Sequence, residues 1–185
     1  MSTFFRLDAG ASYPIYRGRT KLEEVVMRDF LDFKPVPPLS DWQPLTLTLY
    51  ESSPKPHKPG DCMHAGGILI SQRAAEALHD IWQKHAVLYP VFLENTQGQF
   101  YLVRAATVLD CLNHEQSEFD RYGVLRRWVF DENAVGDADF FWLNEPSLFL
   151  HHPFVSEGFK QRVKQAGLKG FCFEACFGDR RAWVS

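Results

Sequence analysis

Few residues of this chain have the type and spacing to do chemistry. Cys62-Met-His64 and Cys172-Phe-Glu-Ala-Cys176 are the only cysteine and histidine pairs near metal-ligand spacing. Structural zinc sites are built from Cys-x2-Cys and similar pairs. The wider pair on a strand sets both thiols on one face beside Glu174, which is not that pattern. Cys62, Cys111, Cys172 and Cys176 are therefore expected as buried free thiols, and no metal is assigned. His114 sits among Asp110, Glu115 and Glu118, where a carboxylate beside an imidazole could serve as an acid–base pair; a polar turn explains the same residues. His79 and His85 fall on or just after the polar face of a helix and are expected in solvent. His151-His152 precedes a strand and has no evident partner. The serine-nucleophile elbow, the Walker phosphate loop, the dinucleotide glycine fingerprint and the His-Glu-x-x-His zinc motif are all absent. No nucleophile, base and orienting group can be assembled, so no catalytic residue and no cofactor is assigned. A small ligand-binding regulator or enzyme using the His114 cluster is the second reading.

Charge and aromatic content point instead to a surface. Residues 105–150 carry nine acidic and three basic side chains, net −6, whereas residues 151–185 are net +3. The acidic stretch includes Asp110, Glu118, Asp131, Glu132, Asp137, Asp139 and Glu145, interleaved with Phe140-Phe141-Trp142. A solvated acidic face is one reading. The other is a docking surface for a basic partner, since complementary charge speeds encounter and fixes register. On that reading the contact centres on Asp131, Glu132, Asp137 and Asp139, with Phe141 or Trp142 as anchor, and the proline-rich stretch 35–59 is the next place for an interface. The same carboxylates would repel a phosphate backbone, so Phe100-Tyr101 and Phe140-Phe141-Trp142 are expected in the core rather than stacked on bases.

The elements that must position these residues follow from pattern. Residues 4–7 and 13–16 read as short extended pieces. Thr20 to Phe33 reads as a helix with Leu22, Val25, Val26, Phe30 and Phe33 on one face, and Thr20 with Glu23 as a capping box. Seven prolines between 35 and 59 make that stretch irregular or extended, apart from the alternating Leu45-Thr-Leu-Thr-Leu-Tyr50, a half-buried strand. Residues 52–61 are expected as a mobile loop. Gly66 to Ile70 is a short strand, Ser71 the N-cap of a helix to about Lys84, and Ala74, Ala75, Leu78, Ile81 and Trp82 its buried stripe. Ala86 to Glu94 is a strand, part of which Pro90 demotes to an edge or bulge. Asn95 to Gly98 turns into a strand from Gln99 to Arg104, and Arg127 to Phe130 is another. Phe154-Val155-Ser156 repeats the strand–serine–helix order, with Phe159, Val163 and Ala166 inside. Gly167 ends that helix with Leu168 folded back on Val163, and Gly170 opens a strand in which Phe171, Phe173, Ala175 and Phe177 share a face. The two strand–serine–helix stretches are read as shared αβ grammar rather than as a duplication.

The expected class is α+β: a mixed, mainly antiparallel sheet with packed helices, in one domain over 1–185 with a proline-rich portion over 1–60. An aromatic content of 15% and a hydrophobic content of 45% exclude a disordered chain. No apolar run reaches the roughly 18 residues needed to span a bilayer, so no membrane is expected. A net charge of −3 argues against a nucleic-acid partner. Arg6 and Asp8 interrupt what would be the apolar core of a signal peptide, so a cytoplasmic location is expected.

Three stretches resemble immunity-protein family eleven, small bacterial proteins encoded beside polymorphic toxins. They are Gly67-Ile-Leu-Ile-Ser71-Gln-Arg-Ala-Ala-Glu-Ala-Leu78, the strand Phe100-Tyr-Leu-Val103 leading to Val108-Leu-Asp-Cys-Leu112, and the ending Phe154-Val-Ser-Glu-Gly-Phe-Lys160 with Ala166-Gly-Leu-Lys-Gly-Phe171. The resemblance spans residues 60–175. It implies inhibition of a cognate toxin domain by binding, without catalysis, and carries over no catalytic residue. Together with the expected cytoplasmic location it implies a toxin whose target is cytoplasmic, such as nucleic acid, nucleotide cofactors or the translation machinery.

Overall fold

The computed structural model describes residues 3–32, 34–51, 58–122, 125–144 and 152–176. In chain order the elements are β1 (Phe4–Ala9), β2 (Tyr16–Gly18), α1 (Lys21–Leu31), β3 (Leu45–Leu49), β4 (Cys62–His64), β5 (Ile68–Ser71), α2 (Gln72–Ala77), α3 (His79–His85), β6 (Ala86–Leu93) and β7 (Phe100–Ala105). Then come β8 (Val108–Leu109), β9 (Glu118–Phe119), β10 (Leu125–Arg127), α4 (Glu132–Val135), β11 (Phe140–Leu143), β12 (Phe154–Ser156), α5 (Glu157–Gln165) and β13 (Phe171–Ala175). Six strands form one sheet in the order β2-β3-β6-β7-β5-β4, five form a second in the order β13-β1-β12-β11-β8, and β9 and β10 pair separately. The pairings are antiparallel except β3 with β6 and β8 with β11. The class is α+β, as the sequence indicates.

The two large sheets contain the same four-stranded unit. β4-β5-β7-β6 in one matches β11-β12-β1-β13 in the other, antiparallel throughout. The registers agree residue by residue. Ser71 faces Phe100 and Ser156 faces Phe4, while Ala86 faces Ala105 and Phe171 faces Ala9. The helical segment from Ser71 to Ala86 has the same length as that from Ser156 to Phe171, and Phe4-Phe-Arg-Leu-Asp-Ala9 aligns with Phe100-Tyr-Leu-Val-Arg-Ala105. Even the parallel flank recurs: Ile15 bridges His64, as Val108 pairs with Trp142. Residues 4–93 and 100–175 thus run through one topology twice, and each half lends its first strand to the sheet of the other. The repeat is larger than shared local grammar. It is hard to see in sequence because each half carries different insertions: β2, α1 and β3 in the first, β9, β10 and α4 in the second.

Burial of apolar faces holds this arrangement together. One core packs α2, α3 and α5 between the sheets around Trp82, Phe140 and Phe159, whose rings meet edge to face at 5.2 and 5.6 Å from Trp82. A second lies under α1 around Trp42, Tyr89 and Phe30. A third surrounds Phe4, Phe130, Phe141 and Phe154.

Caps set the helix ends where the sequence places them. Thr20 and Glu23 form the capping box of α1, and Ser71 and Ser156 accept hydrogen bonds from the amides of Ala74 and Phe159. Gly167 has φ +62°, and Leu168 N donates to Val163 O at 3.1 Å, the Schellman ending.

Several expectations need correction. On α1, Phe30 is buried as expected, but Leu22 and Val25 are exposed and Met27 is buried instead. Glu23 turns the helix, because its carboxylate accepts from Thr46 N as well as Thr20 N, both at 2.8 Å. The helix after Ser71 breaks at Leu78 into α2 and α3. The expectation for Pro90 holds: up to Pro90 β6 pairs with β7 alone, β3 joins only from Val91 onward, and the Pro90 carbonyl accepts from Trp42 Nε1 at 2.8 Å. The strand expected at 127–130 is β10, ending at Arg127, with Phe130 in a lone bridge to Leu112. Cys172 is exposed rather than buried, because β13 is an edge strand. Phe33, residues 52–57 of the proposed loop, Glu145, His151 and Phe177 lie outside the described residues.

Candidate functional site

The acidic stretch is built largely on structural duties. Asp131 caps α4, its Oδ1 accepting from Asn133 N at 2.9 Å and from Ala134 N at 3.4 Å. Glu132 follows it in the first turn and is exposed. Asp137 pairs with Lys84 Nζ at 2.5 Å while its side chain stays 89% exposed; the hydrogen bond and charge of Lys84 hold its carboxyl below the usual carboxylate range. Asp139 is half-buried and accepts the hydroxyl of Ser156, and its amide donates to His85 Nε2 at 3.5 Å. Farther along, Asp120 pairs with Arg126 at 2.7 Å and Glu118 with Arg127 at 3.3 Å.

The aromatic neighbours are not on this surface. Phe141 is fully buried against Phe4 and Phe130, and Trp142 is buried beside Phe140. Alternation along β11 sends Phe141 into the third core and Phe140 and Trp142 into the first, so neither Phe141 nor Trp142 is reachable as an anchor in the free chain. Glu132 and Asp137 remain as exposed carboxylates a few residues apart.

The His114 ring stacks on Phe119 with centroids 6.0 Å apart, and Glu118 is engaged by Arg127. His85, expected in solvent, is buried, with Nδ1 3.0 Å from Thr107 Oγ1. Burial, with the nearby Lys84 charge, pushes its pKa below the ordinary value. The helical spacing Leu78, Ile81, Trp82, His85 was the available signal for that inward position.

A groove beside Asp61, lined from both halves, was not singled out by sequence. Asp61 is buried and receives three hydrogen bonds: from Ser71 Oγ at 2.8 Å, Arg73 Nη1 at 3.0 Å and Lys169 N at 2.8 Å. These bonds fix Asp61, the last residue of the expected loop. Arg73 Nη2 also donates to Ala166 O at 2.7 Å, closing the C-terminal end of α5. In return Arg162 Nη2 donates to Ala77 O at 3.1 Å at the end of α2. Above Asp61 opens a groove of about 670 Å³ lined by Tyr13, Lys58, Pro59, Arg73, Phe100 and Lys169. The Tyr13 ring lies over Gly60, where a Cβ would stand 2.5 Å from it. The signal was there in Asp61, ten residues before the capping serine, but only strand pairing brings the two together.

Among the described residues no group of three or more His, Cys, Asp or Glu side chains is placed to hold a metal ion. Cys62 is buried, and its thiol is pushed well above its ordinary pKa by burial, which keeps it protonated and unreactive. No helix among the described residues is long and apolar enough to cross a membrane.

No curated protein matches the chain. The model of the Immunity protein family (Imm11) matches residues 41–177, from the approach to β3 through the end of the second half. That span takes in both strand–serine–helix units, the acidic stretch and the groove residues other than those near Tyr13, and it shows that the chain belongs to this immunity protein family.

Proposed function

We propose that the protein binds a cognate toxin in the cytoplasm and neutralises it by covering its active site. Membership of the immunity protein family carries this reading, since such a protein works on a protein partner rather than on a substrate. The exposed carboxylates Glu132 and Asp137 suit a toxin whose cleft is basic, as enzymes acting on nucleic acids or nucleotides require. Asp131 contributes at the same edge while capping α4, and Asp139 supports it from below through Ser156. Acidic side chains entering such a cleft would stand where phosphates otherwise bind.

Co-expression with the product of the neighbouring gene, scored for rescue of growth, tests the reading. Wild type is expected to protect, and the pair Glu132→Lys and Asp137→Lys to protect less while melting as wild type does. Failure of the wild-type chain to protect, or turnover of a small molecule by the purified protein at enzyme-like rates, would remove it.

A further inference from the structure

The internal repeat makes the two halves comparable position by position, and one difference between them points to a ligand. Asp61 and Ser71 in the first half correspond to Asp139 and Ser156 in the second: each serine hydroxyl donates to the aspartate, and each serine amide donates to the aspartate carbonyl at 3.1 Å. Each aspartate is also met by the segment that follows the other half's helix. Asp61 N donates to Lys169 O, and Asp139 N donates to His85 Nε2. Counting from the capping serines, Lys169 is the counterpart of Lys84. Counting from the aspartates, Pro59 is the counterpart of Asp137. Beside Asp139 the lysine, Lys84, has its carboxylate, Asp137, at 2.5 Å. In the first half the carboxylate is replaced by Pro59, and a groove stands open between Pro59 and Lys169.

The groove is cationic in a chain whose net charge is −3. Asp61 is occupied by its three donors, including Arg73. Among the described residues neither Lys58 nor Lys169 has a carboxylate within ion-pair distance. Tyr13 and Phe100 supply an aromatic wall on which a peptide backbone or aliphatic stem can rest.

We propose that this groove receives an acidic peptide segment of a protein partner, with an Asp or Glu side chain taking beside Lys169 the place that Asp137 takes beside Lys84. The partner is named as a protein on the strength of the immunity reading; the occupant's chemistry rests on the repeat and the groove alone. The toxin would then be held at two faces of opposite charge, by its basic cleft at Glu132 and Asp137 and by an acidic segment at Lys58 and Lys169.

The test is fluorescence anisotropy of the full chain with a labelled deca-glutamate peptide at low salt. Saturable binding is expected. Lys58→Glu with Lys169→Glu should weaken it at least tenfold, and Glu132→Lys with Asp137→Lys should not weaken it. Pro59→Asp is the sharpest variant: it restores the missing carboxylate from within and should weaken peptide binding several-fold without removing a positive charge. Absence of saturable binding, or equal weakening by Lys164→Glu on α5, would overturn the proposal, as would a Pro59→Asp protein that melts normally and binds as wild type does. Growth protection is read separately. A chain that binds the peptide through the groove yet protects against no toxin supports the groove and removes the toxin reading.

Discussion

The end of the molecule at Asp61 and the end at Asp139 use the same framework to different effect. At both, an aspartate just before one strand and a capping serine at the end of the next lock the start of a helix. At Asp139 the surrounding charge is satisfied within the chain, because Asp137 meets Lys84 and the position two after the serine is Gly158. At Asp61 that position is Arg73, which reaches across to the carbonyls of Ala166 and Gly167, and the lysine opposite faces a groove. The difference teaches that the framework is a scaffold and that charge placed around it is free to vary, which is where recognition is built. Salt bridges at such exposed positions add little stability, so their arrangement is better explained by what they meet.

The strongest test of the comparison is at the turn that follows each helix. Gly170 has φ +93°, and a Cβ there would lie 2.1 Å from the carbonyl oxygen of Cys62. Its counterpart His85 carries a full side chain. Gly170→Val is expected to destabilise by roughly 4 kcal/mol or more, through backbone strain and a clash with β4, whereas His85→Ala should cost only about 1–2 kcal/mol for the lost buried hydrogen bonds. Denaturant unfolding of the two variants measures both. A Gly170→Val protein as stable as wild type would show that β13 and β4 are not in this contact.

The capping serines give a finer comparison. Ser71→Ala and Ser156→Ala each remove an N-cap worth about 1 kcal/mol. Ser71→Ala also strips a donor from the buried Asp61, while Asp139 is only half-buried. The loss at Ser71 is therefore expected to exceed that at Ser156 by up to about 1 kcal/mol, read from paired thermal melts; the reverse order would place the tighter lock in the second half.

The smallest effect concerns the arginines that the halves exchange. Asp80 is held at about 2 by the hydrogen bonds of the Arg162 guanidinium. A carboxyl depressed in the folded state stabilises it fully above the unfolded value near 4 and loses that contribution as pH falls from about 4 towards 2. Arg162→Met should return the Asp80 titration to the ordinary range, followed by carboxyl NMR.

Much of the scaffold was legible because its signals are local. Thr20 with Glu23, Ser71, Ser156 and Gly167 cap helices through neighbours a few residues away. The alternating leucines of β3 and the stripe from Ala74 to Trp82 report burial directly. What escaped depends on partners distant in sequence. Glu23 rotates α1 by reaching Thr46, Pro90 finds Trp42 instead of an amide partner, and Asp61 is buried by Arg73 and Lys169. The acidic stretch was legible as composition but not as geometry: capping, pairing with Lys84 and bonding to Ser156 divide its residues between structure and surface. The groove was invisible for the same reason the repeat was, since both exist only once the first strands have crossed between halves.

Docking of a toxin by charge placed around the repeated scaffold is a proposal about encounter, and encounter is read in association rates. Association kinetics with the neighbouring-gene product, measured across salt concentrations, test it most directly. For wild type the association rate should fall steeply with added salt. The Glu132→Lys and Asp137→Lys pair should associate at least tenfold more slowly at low salt, with the gap closing at high salt. Association at the wild-type rate, with unchanged salt dependence, would contradict it.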